Sequence, residues 1–510
     1  MIKKIYDKNS VKYNEYDNFI DLKSESFLNH NYFHSHITFS RNHLIGSEIL
    51  INFINNKFPR KKYFHFTQRA ILFYLRNIFH FAHWIIYFIY SKLFLKDTKK
   101  NIFFKNKMFV QTFLNFKSVD SSGNITDNYF AELYNFLNSK SQDYVIIANI
   151  FEQLTNFKKR IQLLRNFKKS KKLILTEFDY LGFVDIIKIL LFIISFPWVT
   201  LTRKFNLGSK SYLDQLFKYD YINSISNASF LTYVQFLFAK KLARLIKQKK
   251  TKIISWNENQ LIHRNFLRGI RNENITVYGC QYFLKYPSCR WMYIRERDKK
   301  YNVIPDKILV SGKEYLPEKS ELNYRIGSPF RYRNVYSVIQ PKINSKLILV
   351  LLPYEQIEAF KVIDFLKKSN LSEKYFLHFK IHPNFSDKFK EYKEKFPQKW
   401  KILKSNYNVS DYNVIITKSS GSIIEYIAQG CTLIIINDNN PLELNPLTNI
   451  IGHEVNYSYV NNPNEIVSTI KRMINKRKSN SIVYQNNVNT FKSKYFSKIT
   501  EKTLIKDFDI

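Results

Sequence analysis

Two stretches in the second half of the chain carry residue types suited to holding an anion. Phe379-Lys380-Ile381-His382-Pro383-Asn384 ends an apolar run in a histidine followed by proline. Proline disfavours helical backbone in the residue before it, so the run delivers His382 at its carboxyl end in extended geometry. In open parallel sheets that edge is where ligands sit. About 35 residues later, Ile415-Ile416-Thr417-Lys418-Ser419-Ser420-Gly421-Ser422-Ile423-Ile424-Glu425 closes a second apolar run in a hydroxyl-rich turn ahead of a helix. That turn has two readings. Ser422 and Glu425 have the spacing of a capping box. Ser419, Ser420, Gly421 and Ser422 also have the composition of a phosphate cradle, because free N–H groups and the helix dipole favour an anion there. Two serines ahead of the cap exceed what capping needs. With the strand-end histidine, the pattern predicts a nucleotide-phosphate site of His382, Pro383, Ser419, Ser420, Gly421 and Ser422. Glu425 stays open between cap and ligand.

Upstream, Glu258 follows the apolar run 252–256. A carboxylate at that edge can accept the proton of an attacking hydroxyl or stabilise a carbon centre under attack. It also has the place of an acidic first-turn residue on a helix expected over 259–271. Arg264 and Arg268 lie four apart on that helix. They suit a ligand carboxylate through charge-assisted bonds, or simply form a solvated face. His30, His34, His36 and His43 have no carboxylate or cysteine cluster beside them, so a metal site is not expected there. Cys280, Cys289 and Cys431 make neither a disulfide framework nor a zinc knuckle, and they fit a reducing cytosol.

The elements that position these residues show in the alternation of the chain. Apolar runs at 144–150, 172–176, 252–256, 275–279 and 307–310 alternate with helical stretches at 156–167, 209–247 and 259–271. After Gly327-Ser328-Pro329 the pattern restarts, with runs at 347–352, 375–381, 400–403, 414–417 and 432–436 and helices at 355–368, 385–395, 422–429 and 463–476. Strands alternating with helices predict parallel sheets covered on both faces. The expected fold is therefore α/β, with two Rossmann-like domains: residues 1–315, then 316–487, then a helix in 488–510 that returns to the first domain. Only 11 glycines are present, and the closest pair, Gly421 and Gly430, lies nine apart. Neither a G-x-G-x-x-G dinucleotide fingerprint nor a P-loop can be written with that spacing.

A His-Pro pair followed by a Ser-Ser pair at a strand–helix turn resembles the paired motifs of bacterial sialyltransferases and of the Kdo transferases of capsule and lipopolysaccharide assembly. The resemblance implies the GT-B fold, a CMP-activated sugar donor and phosphate contacts from His382, Ser419 and Ser420, with Ser422 a further candidate. The segment Glu425-Tyr-Ile-Ala-Gln-Gly430 resembles the helix–Gly–strand unit of GT-B glycosyltransferases, where an acidic residue often holds the ribose. Ser255-Trp256-Asn257-Glu258 and Gly279-Cys280-Gln281-Tyr282 resemble the Trp-x-Glu and Gly-x-Gln-His elements of surface-carbohydrate biosynthesis proteins. This makes Gln281 a substrate-binding candidate, while Tyr282 stands where a histidine is expected. Residues 127–137 resemble a further segment of those proteins. The resemblance runs from about residue 110 to 475. The Asp-x-Asp of metal-dependent GT-A transferases occurs only at Asp507-Phe508-Asp509, so no metal and no cofactor beyond the nucleotide sugar are expected. The implied activity is transfer of an acidic sugar, Kdo or another nonulosonic acid, to a lipid-linked or oligosaccharide acceptor of surface polysaccharide. Glu258 would be the catalytic carboxylate. The alternatives are a CDP-polyol phosphotransferase of the teichoic-acid type, with similar paired motifs, and a non-catalytic anion-binding protein at a membrane.

The composition bounds the partners. Eighty Lys and Arg against 41 Asp and Glu give a formal charge of +39, a field that draws anions. The lysines are scattered rather than blocked, which argues against nucleic acid and for a nucleotide sugar and an anionic inner-membrane surface. No apolar leader begins the chain. Residues 77–91 and 189–202 are uncharged runs of fifteen and fourteen residues, short of the ~20 that span a bilayer. They are expected as core helices or as helices lying on a membrane. The expected location is cytoplasmic, peripheral on the inner face of the bacterial inner membrane.

Overall fold

The computed structural model describes residues 15, 18–19, 66–95, 108–202, 211–246, 250–285, 292–337, 345–353, 355–382, 396–397, 399–403, 407–437, 447 and 456–510. Pro383, Cys289, the expected helix at 385–395 and the histidines between 30 and 43 lie outside the described residues.

The first half runs α1 (Phe66–Phe94), β1 (Met108–Leu114), α2 (Ala131–Ser139), β2 (Val145–Ile150), α3 (Phe157–Lys169), β3 (Ile174–Leu175), α4 (Glu177–Tyr180), α5 (Phe183–Thr202), α6 (Tyr212–Ser224), α7 (Phe230–Leu245), β4 (Thr251–Trp256), α8 (Leu261–Ile270), β5 (Ile275–Gln281), β6 (Lys307–Val310) and β7 (Tyr324–Ile326). Its strands form one sheet in the order β3-β2-β1-β4-β5-β6-β7, every pair parallel. After a short helical turn at Phe330–Tyr336 come β8 (Leu347–Leu351), α9 (Gln356–Lys367), α10 (Leu371–Lys374), β9 (Phe376–Lys380), β10 (Trp400–Ile402), β11 (Val414–Thr417), α11 (Ser422–Ala428), β12 (Thr432–Ile436), β13 (Tyr457–Val460), α12 (Ile466–Ser479), α13 (Ser481–Tyr495) and α14 (Glu501–Phe508). This second sheet is also all parallel, in the order β10-β9-β8-β11-β12-β13.

The chain is thus two parallel-sheet α/β domains. Central strands such as β12, buried along its whole length, owe their continuous apolar character to helices on both faces. Each sheet reverses its strand order at one point, between β1 and β4 and between β8 and β11. Connections leave toward opposite faces there and open a crevice at the carboxyl edge. Because β7 belongs to the first sheet, the division falls after Ile326, not at residue 315.

The expected single helix near the carboxyl end is two. Phe496 takes extended backbone (φ −135°, ψ 135°), and Thr500 then caps α14 by accepting from Thr503 N. α13 packs in the second core through Phe491 and Tyr495, whereas Leu504 and Phe508 of α14 belong to the first. Gly312 is required at that crossing, because a methyl group there would overlap the backbone of Tyr495.

Candidate functional site

Glu258, His382 and the 419–425 turn each follow a strand at its carboxyl end. β4 and β11 are the strands at the two reversal points, so the topology puts Glu258 and the serine turn at the two crevices. Arg331, from the turn joining the domains, links them. Its charge is reinforced by Tyr332 first and then by Tyr129, Glu425 and Glu258, against the desolvation that opposes it. It is also one of the cations, after Lys380, that act on the His382 imidazole. Arg331 therefore lies within electrostatic reach of a carboxylate from each domain and of the strand-end histidine.

Glu258 is half-buried and held from two sides. Its Oε1 accepts from Trp256 Nε1 at 2.9 Å, and Oε2 accepts from Gln260 Nε2 at 2.8 Å. Trp256 is in turn fixed against Tyr129, ring centroids 4.5 Å apart. Burial pushes the Glu258 carboxyl above the usual range, with Trp256 and Arg331 pulling the other way. Glu258 precedes the first residue of α8, and Gln260 occupies the N-cap position, so the acidic-first-turn reading does not apply.

Burial also raises the Glu425 carboxyl, with Arg331 and then Lys380 opposing. The capping-box reading of the serine turn is not what forms. α11 starts at Ser422 with Gly421 at the N-cap and no side-chain cap bond, while Ser420 Oγ accepts from Ser422 N at 3.3 Å. Glu425 is therefore not spent on capping. Ser419, Ser420, Gly421 and Ser422 are all half-buried at this turn. Lys418, just before them, is fully buried and ion-paired with Glu358, which anchors the end of β11 to α9. The His382 imidazole is half-buried, and burial, Lys380 and Arg331 push it toward its neutral form.

Three expected substrate contacts lie elsewhere. Arg264 is buried and forks onto Asp298, with Nη2 to Oδ1 at 3.2 Å and Nη1 to Oδ2 at 3.4 Å. An arginine so committed ties α8 to the 296–301 turn rather than meeting a donor carboxylate. Arg268 sits over the Phe236 ring on α7, 5.8 Å from its centroid, on the helix-packed side of α8. Gln281 is fully buried and donates to the Met292 carbonyl at 3.3 Å. Tyr282, in place of a histidine, is a core residue whose hydroxyl occupies the space above Gly327.

Arg331 was not among the sequence candidates. It stands in Phe-Arg-Tyr-Arg beside Arg333 with no apolar run leading into it, and its only signal was the adjacent Gly327-Ser328-Pro329 joint. A cavity of about 630 Å³ opens on the same turn, bounded by Arg331, Arg333, Lys171, Lys172, Asn128 and Tyr134. Among the described residues, no three His, Cys, Asp or Glu side chains converge as a metal site.

No protein-family model matches the chain, and no curated protein does. Solved structures show similarities to the chain at low identity. A UDP-N-acetylglucosamine 2-epimerase is 11% identical, covering 79% of this chain and 95% of its own, with a TM-score of 0.42. The calicheamicin glycosyltransferase CalG4 is 10% identical, covering 79% and 95%, at 0.40. The wall teichoic acid polymerase TagF, in a structure with CDPG, is 12% identical, covering 88% and 97%, at 0.39. Likenesses this distant carry nothing about activity or substrate.

Proposed function

We propose that the chain is a glycosyltransferase that moves a sugar from a nucleotide-activated donor, CMP-linked and acidic, to a growing surface polysaccharide. One observation carries the reading. Arg331 lies within electrostatic reach of Glu258 at the first sheet's carboxyl edge and of Glu425 and His382 at the second's. A cation between two crevices suits a departing phosphate, and a carboxylate with a raised pKa suits a base for a hydroxyl.

The roles follow from the chemistry. The acceptor hydroxyl gives its proton to Glu258 as its oxygen bonds to the anomeric carbon. The bond from that carbon to the phosphate oxygen breaks, and CMP leaves with the electron pair. Arg331 and His382 meet the charge that develops on the phosphate, with Ser419 and Ser420 as hydroxyl donors. Glu425 suits the ribose hydroxyls from the far side. Incubating the purified protein separately with CMP-Kdo, CMP-sialic acid and CDP-glycerol, and following CMP release, tests this directly. Release from a CMP-sugar alone is expected. Release from CDP-glycerol alone would make the protein a polyol-phosphate transferase. No release, with no nucleotide-dependent thermal shift, would leave a non-catalytic anion binder.

A further inference from the structure

The largest feature that the cleft chemistry does not use is apolar and lies on the outside of the first domain. Of 24 large apolar side chains exposed among the described residues, 17 lie on α1 and α5. On α5, Phe183, Ile187, Leu190, Ile194 and Trp198 recur at helical spacing and stand open, while Ile189, Phe192, Ile193 and Phe196 fill the opposite, buried face. α1 repeats the pattern, with Leu75 and Phe79 out and Phe73 and Trp84 in. The two helices run side by side, antiparallel: Phe66 meets Trp198, Phe73 stacks on Phe196 at 5.2 Å, and Tyr74 Oη donates to the Ile194 carbonyl at 2.7 Å. Their open faces adjoin. With each side chain roughly half exposed, the patch is on the order of 1,000 Å² or more, against ~300–600 Å² for the largest patch of a typical monomer.

The border of that patch is basic. α3 exposes Lys158, Lys159, Arg165, Lys168 and Lys169 and carries no acidic residue. It lies against the carboxyl half of α1, where Phe157 stacks on Tyr87 at 5.7 Å and Arg165 Nε donates to Tyr90 Oη at 2.5 Å. Between the two helices is a cavity of about 690 Å³ with Phe94, Leu95 and Ile161 among its apolar walls and Lys158, Lys168 and Lys169 around it. An apolar face bordered by cations matches an acyl layer bordered by phosphates.

We infer that α1 and α5 are the face by which this protein lies on an anionic phospholipid bilayer, with α3 meeting the headgroup phosphates. α5 is long and apolar enough to cross a bilayer by length and composition, yet it is better suited to lying flat. Asp185 is buried within it and paired with Lys241 of α7, and a crossing would strip its packed face from the protein core. The assignment is independent of which donor the cleft takes.

The test is flotation of the full chain with phosphatidylcholine vesicles and with vesicles also containing phosphatidylglycerol, at low and high salt. The protein is expected to float with the anionic vesicles and to keep part of that binding in high salt, because apolar insertion is not screened. Leu190→Glu with Ile194→Glu should lower the bound fraction at least tenfold at every salt. Lys168→Glu with Lys169→Glu should remove only the salt-sensitive part. An unchanged nucleotide-dependent thermal shift would show that both variants are folded. No flotation of the wild type, or flotation undiminished by the paired glutamates, would overturn the inference. So would a wild-type dimer that the glutamates split without any vesicle binding, which would make the face a contact between copies.

Discussion

Exchanging one oxygen of Glu258 for an NH2 group keeps its volume and its place beside Trp256 and Gln260 while removing the charge. Glu258→Gln should therefore leave CMP affinity within a few-fold and lower turnover by about 100-fold or more, the usual range for losing a general base. Single-turnover rates alongside calorimetric nucleotide binding check this; near-wild-type turnover would move the role to another carboxylate. Arg331 gives a sharper prediction. Its charge lowers the Glu258 pKa, so Arg331→Ala should carry the acidic limb of the pH–rate profile to higher pH as well as weakening nucleotide binding. A limb that stays put would mean that the two groups are not coupled. At His382, burial and the cations Lys380 and Arg331 favour neutral imidazole in the free protein, and a bound phosphate reverses that balance. Binding then takes up a proton, and affinity rises as pH falls through the range between the free and bound pKa values. The loss in His382→Ala should grow from about 2–10-fold at pH 8 toward 10–100-fold near pH 6. Comparing wild type and variant by calorimetry at both pH values cancels the titration of the nucleotide itself.

Among the elements, those with unbroken apolar runs were legible in the sequence: β6, β11 and β12 match the expected bounds. β1 was not, although it is central to the first sheet, because Gln111 and Thr112 interrupt it. Both are buried, and Gln111 Oε1 accepts from Ser255 of β4 at 2.7 Å, so polar residues stand where periodicity expects leucine or valine. The three-residue edge strand β7 and the four-residue β13 are too short to show a period. In the site, the strand-end histidine and serine turn were legible because proline and hydroxyl clusters punctuate sequence. Arg331 was not, because its position depends on how two domains meet. The arginine pair on α8 misled because helical spacing fixes a common face without saying what it faces. α14 yields a prediction of its own. Asp507 accepts from Ser328 N at 2.7 Å across 179 residues, and burial pushes its carboxyl up to about 6 despite that bond. The folded state thus holds a proton that the unfolded chain releases near pH 4, so stability falls as pH rises from about 4 to 6, by about 2–3 kcal/mol from this group. Asp507→Asn keeps the acceptor and should flatten that stretch of the curve in urea melts taken between pH 4 and 7.

Across the whole molecule, the second domain is clasped as well as tethered. Besides the turn at Phe330–Tyr336, the chain returns through Ser497 N to the Ser311 carbonyl at 2.7 Å and Tyr336 Oη to the Phe496 carbonyl at 2.8 Å. α14 then lays Phe508 on Phe330 of the connecting turn and Tyr278 of the first domain, and Asp509 pairs with Lys307 and Arg325. A cut in the connector should not free the halves: with an engineered cleavage site after Ser337, both fragments should co-elute on size exclusion until α14 is removed. The clasp also bears on birth order. As the ribosome extends the chain from its amino end, β6, β7 and Ser328 emerge long before α14 does. The first domain must therefore wait, with the hydrophobic seat for Phe508 uncovered, while the entire second domain is translated. That interval is where a chaperone would have most to protect, and slowing translation within 340–500 should lower the soluble yield more than the same delay placed before residue 100.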